Sequence, residues 1–123
     1  MSGIITMVLE DGEDICKCLD AFTKENDINY GFIETARGGM RNFEISAHGK
    51  VGSVTNFFRD NRFKVESANG TVERRGNQLI IKMNILASSS DGSRLSGELM
   101  TGCADGFLEI GIRKVDLKKI IYS

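Results

Sequence analysis

Leu79-Ile80-Ile81-Lys82-Met83-Asn84-Ile85-Leu86-Ala87, followed by Ser88-Ser89-Ser90-Asp91-Gly92 and then Arg94-Leu95-Ser96-Gly97-Glu98-Leu99-Met100-Thr101, is the stretch that decides the fold. The first segment is the longest apolar run in the chain, of strand length and bounded by turn residues on both sides. The serine-rich segment ending in Asp91-Gly92 closes a hairpin into the second strand. Side chains alternate along a strand, so Leu79, Ile81, Met83 and Ile85 share one face and Ile80, Lys82, Asn84 and Leu86 the other. In the partner, Arg94, Ser96, Glu98 and Met100 share a face, and Leu95, Gly97 and Leu99 share the opposite one. A loop of Ser90-Asp91-Gly92, with Gly92 left-handed, places Asn84 opposite Glu98. A five-residue loop places Lys82 opposite Glu98 instead. Either way Lys82, Asn84 and Glu98 cluster on one side of the sheet. Residue types alone favour a solvated face with a cross-strand charge pair, contributing about 0.2–1 kcal/mol, over a polar pocket floor.

Outward from this hairpin, Ile4 to Leu9 reads as a first strand. Asp11-Gly12-Glu13-Asp14 then opens a helix, with Asp11 placed as its cap and acids at its electropositive end. Ile15, Cys18, Leu19 and Phe22 form one apolar stripe, and the helix frays near Lys24 to Asp27. Further strands are expected at Tyr30 to Ala36, which Gly38-Gly39 breaks, and at Arg41 to Ala47. Val54 to Phe58 is a short strand or an irregular connection. Arg62 to Ser67 is ended by Asn69-Gly70, Arg75-Gly76-Asn77 makes a turn, and Phe107 to Val115 is the last strand. One main helix followed by six or seven strands is an α+β fold: a mainly antiparallel sheet with the helix packed on it, in a single domain spanning residues 1–123.

Composition excludes several function classes. The 123 residues carry 16 basic and 17 acidic side chains, a net charge of −1, and 27% are charged. That balance gives no long-range pull toward nucleic acid or an anionic membrane. No apolar run approaches the ~20 residues needed to cross a bilayer. Met1-Ser2-Gly3-Ile4-Ile5 lacks the basic region and apolar stretch of a leader, so a cytoplasmic location and no membrane association are expected. The three cysteines include a Cys16-x-Cys18 pair that is neither a redox nor a zinc motif, and all three are expected as buried or half-buried structural thiols. His48 is the only histidine. It is expected at the surface or a sheet edge, because a zinc site draws three or four ligands. With no proline and 14 glycines, turns are built from Gly, Asp, Asn and Ser.

The order of motifs resembles the PPC (plants and prokaryotes conserved) domain. The resemblance runs from Met7-Val8-Leu9-Glu10-Asp11-Gly12-Glu13-Asp14 through Ala36-Arg37-Gly38-Gly39-Met40-Arg41-Asn42-Phe43. It continues in Arg62-Phe63-Lys64-Val65-Glu66-Ser67-Ala68-Asn69-Gly70 and ends in Asp91-Gly92-Ser93-Arg94-Leu95-Ser96-Gly97-Glu98-Leu99. It implies a small domain that assembles as a homotrimer. In plants such domains follow AT-hook DNA-binding motifs; in prokaryotes they stand alone and are often labelled DNA-binding. Many prokaryotic members carry a metal site of His-x-His on one strand and a third His in Gly-Gly-His on the next. The matching positions here are Lys82, Asn84 and Glu98, so the resemblance implies a lost metal site. A protonated ammonium is no ligand, and no metal or other cofactor is expected. A Lys82–Glu98 pair with Asn84 bridging would fill the pocket in place of the ion. The plant signature Gly-Arg-Phe-Glu-Ile-Leu, implicated in binding partner proteins, matches Asn61-Arg62-Phe63-Lys64-Val65-Glu66. Arg62 and Phe63 survive and are the partner-binding candidates, although a strand residue such as Phe63 is more often core.

Three functions compete. A non-enzymatic homotrimeric interaction module, regulatory in role, fits the absence of any nucleophile–base arrangement and leads. Direct nucleic-acid binding is weaker: no AT-hook is present, and the basic clusters are only Arg74-Arg75 and Arg113-Lys114 with Lys118-Lys119. A small-ligand binder using the Lys82, Asn84 and Glu98 face is third, since a mutual ion pair neutralises rather than activates.

Overall fold

Alternating apolar residues build six strands and one helix in the computed structural model, which describes residues 3–49, 52–59 and 61–115. In chain order they are β1 (Ile4–Glu10), α1 (Ile15–Glu25), β2 (Tyr30–Gly49), β3 (Gly52–Phe58), β4 (Phe63–Arg75), β5 (Gln78–Ser89) and β6 (Arg94–Lys114). The fold is α+β, as expected. All strand pairings are antiparallel, in the order β1-β6-β5-β4-β2-β3, and β6 also pairs with β2. That extra pairing closes β2, β4, β5 and β6 into a ring, which an open sheet covered by a helix did not anticipate.

Six strands result because four expected segments fuse into two long ones. Gly38-Gly39 does not break β2. It lets β2 cross β6 at close range: a Cβ on Gly39 would sit 2.5 Å from the Asp105 carbonyl oxygen, and Gly38 holds φ at +128° against Phe107. The register slips there, leaving Gly106 and Phe107 as extra residues on β6. Asn69-Gly70 likewise makes no turn. β4 runs straight through it, because Gly70 presents bare backbone to the Lys82 carbonyl where any Cβ would collide. The turn at Gly76-Asn77 does form, with Gly76 left-handed at φ +62°.

The helix cap also differs from expectation. Asp14 is the cap, its carboxylate accepting from the Lys17 amide at 2.9 Å. Asp11 is drawn away because Gly12, at φ +85°, turns the chain before the helix starts. Ile15 and Leu19 are fully buried, with Cys18 and Phe22 packed beside them. Near β3, Phe43 stacks on Phe58 at 5.0 Å and meets Phe63 edge-on at 5.2 Å.

Candidate functional site

The hairpin register places Asn84 directly opposite Glu98, and Gly92 is left-handed at φ +90°, the outcome of the shorter loop. The row extends around the ring: Asn69 lies opposite Asn84, and Ser46 opposite Glu98. Lys82 and Asn84 are exposed while Met83 and Ile85 between and beyond them are buried, so both point outward. Glu98 is half-buried. The expected Lys82–Glu98 pair is not made: among the described residues neither side chain has a hydrogen bond or ion pair. β6 leaves β5 at Glu98 to follow β2, so Lys82 has Thr71 of β4 beside it and no β6 partner. These three groups do not fit a metal. An amide and one carboxylate supply oxygens only, and the ammonium repels a cation. Among the described residues no three His, Cys, Asp or Glu side chains converge. His48 has its backbone in β2 opposite Ser53.

A depression lies elsewhere, beside Gly38 and Gly39. It is a groove of about 880 Å³ bordered by Arg37, Arg62, Lys64 and Phe107. Arg62 is mostly exposed, and its one carboxylate contact, with Asp105, is loose at 3.7 Å. Phe63 is only 7% exposed and belongs to the aromatic core. Of the two partner-binding candidates, Arg62 alone offers a free head to solvent. The groove is not evident in the sequence, because Gly38-Gly39 there signals the end of a strand. A glycine pair between two strong strand patterns also signals close strand crossing, and that was the available clue.

Arg41, outside the groove, holds the Asp105 that lines it. It binds Asp11 at 2.5 Å and Asp105 at 2.7 Å, and Asp11 also accepts the Gly106 amide at 2.8 Å. The Arg41 guanidinium, then the Gly106 amide, hold the Asp11 carboxyl below its ordinary range. The arginines of the basic clusters seen in the sequence are already engaged, whereas Lys114 is exposed and has no ion pair among the described residues. Arg74 is held by Asp20 and Thr23, each at 2.9 Å, Arg75 by Glu73 at 3.2 Å, and Arg113 by Glu34. Lys118 and Lys119 lie outside the described residues. All three cysteines are free and half-buried. Burial, then the nearby Asp14, pushes the Cys16 thiol up, and burial followed by Glu13 does the same for Cys18.

Comparison with known proteins agrees with the fold. The model of the Plants and Prokaryotes Conserved (PCC) domain matches residues 2–116. No curated protein matches the chain in sequence. A plant- and prokaryote-conserved protein of Pyrococcus horikoshii superimposes with a TM-score of 0.79 at 16% identity, covering 94% of this chain and 82% of its own. A candidate DNA-binding protein of Bacteroides thetaiotaomicron gives 0.78 at 20%, covering 94% and 85%. A metal-containing protein of Archaeoglobus fulgidus gives 0.78 at 20%, covering 93% and 81%.

Proposed function

Because the chain belongs to the Plants and Prokaryotes Conserved domain family, we propose that it acts as a cytoplasmic, non-enzymatic homotrimer, a regulatory module that engages a protein partner. The observation that carries this is an uncovered apolar face. Helix α1 lies against β6 and β1 on the buried side. The outer side of β1, β6 and β2 carries Ile4, Val8, Phe32 and Phe107, each 41–60% exposed. The register sets Ile4, Arg113 and Phe32 in one row and Val8, Glu109 and Arg37 in another. Apolar side chains set among paired charges on a sheet face suit contact with another copy of the same chain. Arg62 is the partner contact, with Phe63 fixing its strand from the core. Lys82, Asn84 and Glu98 occupy the former metal position as an outward polar surface without acid–base work.

Light scattering on the purified protein tests the assembly. A mass near three times 13.5 kDa is expected, and a clean monomer at micromolar concentration refutes it. Nucleic acid is the alternative partner, favoured only by the DNA-binding names of the structural neighbours from Bacteroides thetaiotaomicron and Ralstonia eutropha. The paired state of Arg74, Arg75 and Arg113 leaves few free cations for phosphates, so a gel shift should vanish at moderate salt.

A further inference from the structure

We propose that the groove over Gly38-Gly39, whose Arg37 and Phe107 border the outer face described above, binds a small organic monocarboxylate with a flat apolar body. The register fixes its floor. Ser88, Lys64, Gly39 and Asp105 form one row across β5, β4, β2 and β6. Gly39 packs closely on the Asp105 backbone, so the row carries an ammonium and a carboxylate on either side of a position with no side chain of its own. The groove's volume, about 880 Å³, falls in the range of small-molecule sites.

Charge decides the ligand class. Around the groove, Arg37 is held by Glu109 at 2.8 Å, and Glu66 by Arg94 at 3.1 Å. Arg41 and Arg62 balance Asp11 and Asp105. Among the described residues Lys64 has no carboxylate partner, which leaves a single uncompensated positive charge at the groove. One negative charge satisfies it, and a dianion would overshoot. Arg62, mostly exposed and held only by a loose 3.7 Å contact to Asp105, lines the same groove and can share its guanidinium between that acid and the anion. The Ser88 hydroxyl stands beside Lys64 as a further donor.

The rest of the groove asks for an apolar plane. Phe107 is 48% exposed at the β6 bulge, with no ring stacked on it among the described residues. Gly38 and Gly39, half-buried and packed closely on β6, contribute main chain rather than side chains to the groove beside it. A flat ring laid on glycine backbone against Phe107 would be covered on two sides, with its carboxylate directed at Lys64 and Arg62.

Titration calorimetry and amide chemical shifts with 2-naphthoate, 2-naphthylmethanol and acetate test this. Naphthoate is expected to bind roughly tenfold tighter than either the neutral alcohol or acetate, since a charge-assisted contact adds to ring burial. Its shifts should centre on Gly38, Gly39, Lys64 and Ser88. Lys64→Ala and Arg62→Ala should each weaken naphthoate about fivefold or more and leave the alcohol unchanged. Lys82→Ala, far from the groove, should change nothing. Equal binding of naphthoate and the alcohol, or unaltered binding in both variants, overturns the proposal. So do shifts confined to the Val8 and Phe32 face. Neither result depends on oligomeric mass, so a monomer that still binds naphthoate would overturn only the assembly.

Discussion

Arg41 serves two carboxylates that come from opposite ends of the chain, Asp11 before the helix and Asp105 on the last strand. Asp105 is mostly sheltered, so Arg41→Ala leaves an acid short of its strongest partner and removes the side-chain tie that reinforces the backbone bonds of Gly12 and Glu13 to Ala104 of β6. The melting temperature should drop clearly further in Arg41→Ala than in Arg75→Ala, whose exposed pairing with Glu73 spans only two residues; equal melting curves would show the cluster to be incidental. None of this was readable beforehand. Asp11 was assigned to the helix because an acid before an apolar stripe is the commonest cap signal, and Asp14, three residues on, satisfies the same rule. Only the left-handed Gly12 separates the two, and a glycine announces freedom rather than the direction taken. The candidate triad shows the other half of this. Alternation alone puts Lys82, Asn84 and Glu98 on one face, but the choice of Asn84 or Lys82 opposite Glu98 turns on the loop length, and the fate of Lys82 on where β6 parts from β5.

At the scale of elements, the hairpin of β5 and β6 was legible because alternation, strand length and a serine-rich turn agreed. The long strands were not, since glycine is ambiguous: it ends a strand in one setting and permits a close crossing in another. Gly70 permits a crossing. Its Gly70→Ala variant should be strongly destabilised, failing to accumulate or melting far below the parent, because the added methyl lands on the Lys82 carbonyl at a left-handed φ of +154°. Gly76→Ala provides the contrast, with open space around the new methyl and only the backbone cost of φ +62°. The helix can be probed in the same way. Asp14→Ala removes the acceptor for the Lys17 amide and should cost about 1 kcal/mol in urea unfolding. Asp14→Ser should recover most of that loss, and an Asp14→Ala protein as stable as the parent would show that the helix is held by Ile15 and Leu19 alone.

For the whole molecule, several surface carboxylates titrate below their ordinary values in the folded state. Asp91 is lowered to about 2, first by the Ser89 hydroxyl and then by the Ser93 amide. The Arg41, Arg74 and Arg37 guanidinium groups lower Asp11, Asp20 and Glu109 respectively. A folded pKa below the unfolded one gives stability that is complete above the unfolded value, near 4, and lost as pH falls through the folded value. The melting temperature should therefore be level from about pH 5 to 8 and decline between about pH 4 and 2. High salt should blunt that decline, because the pairs are exposed. The same titration reports on assembly. Glu109 and Arg37 sit between Val8 and the rest of the outer face, so a trimer built there encloses the pair. Val8→Glu puts a second acid beside Glu109 in the middle of that face. It should lower the mass in light scattering from near three times 13.5 kDa to 13.5 kDa while leaving the circular dichroism of the strands intact. Val8 is 60% exposed in the single chain, so the substitution removes little core packing. A Val8→Glu protein that stayed trimeric would place the contact elsewhere, and the open edge of β3 would then be the next surface to alter.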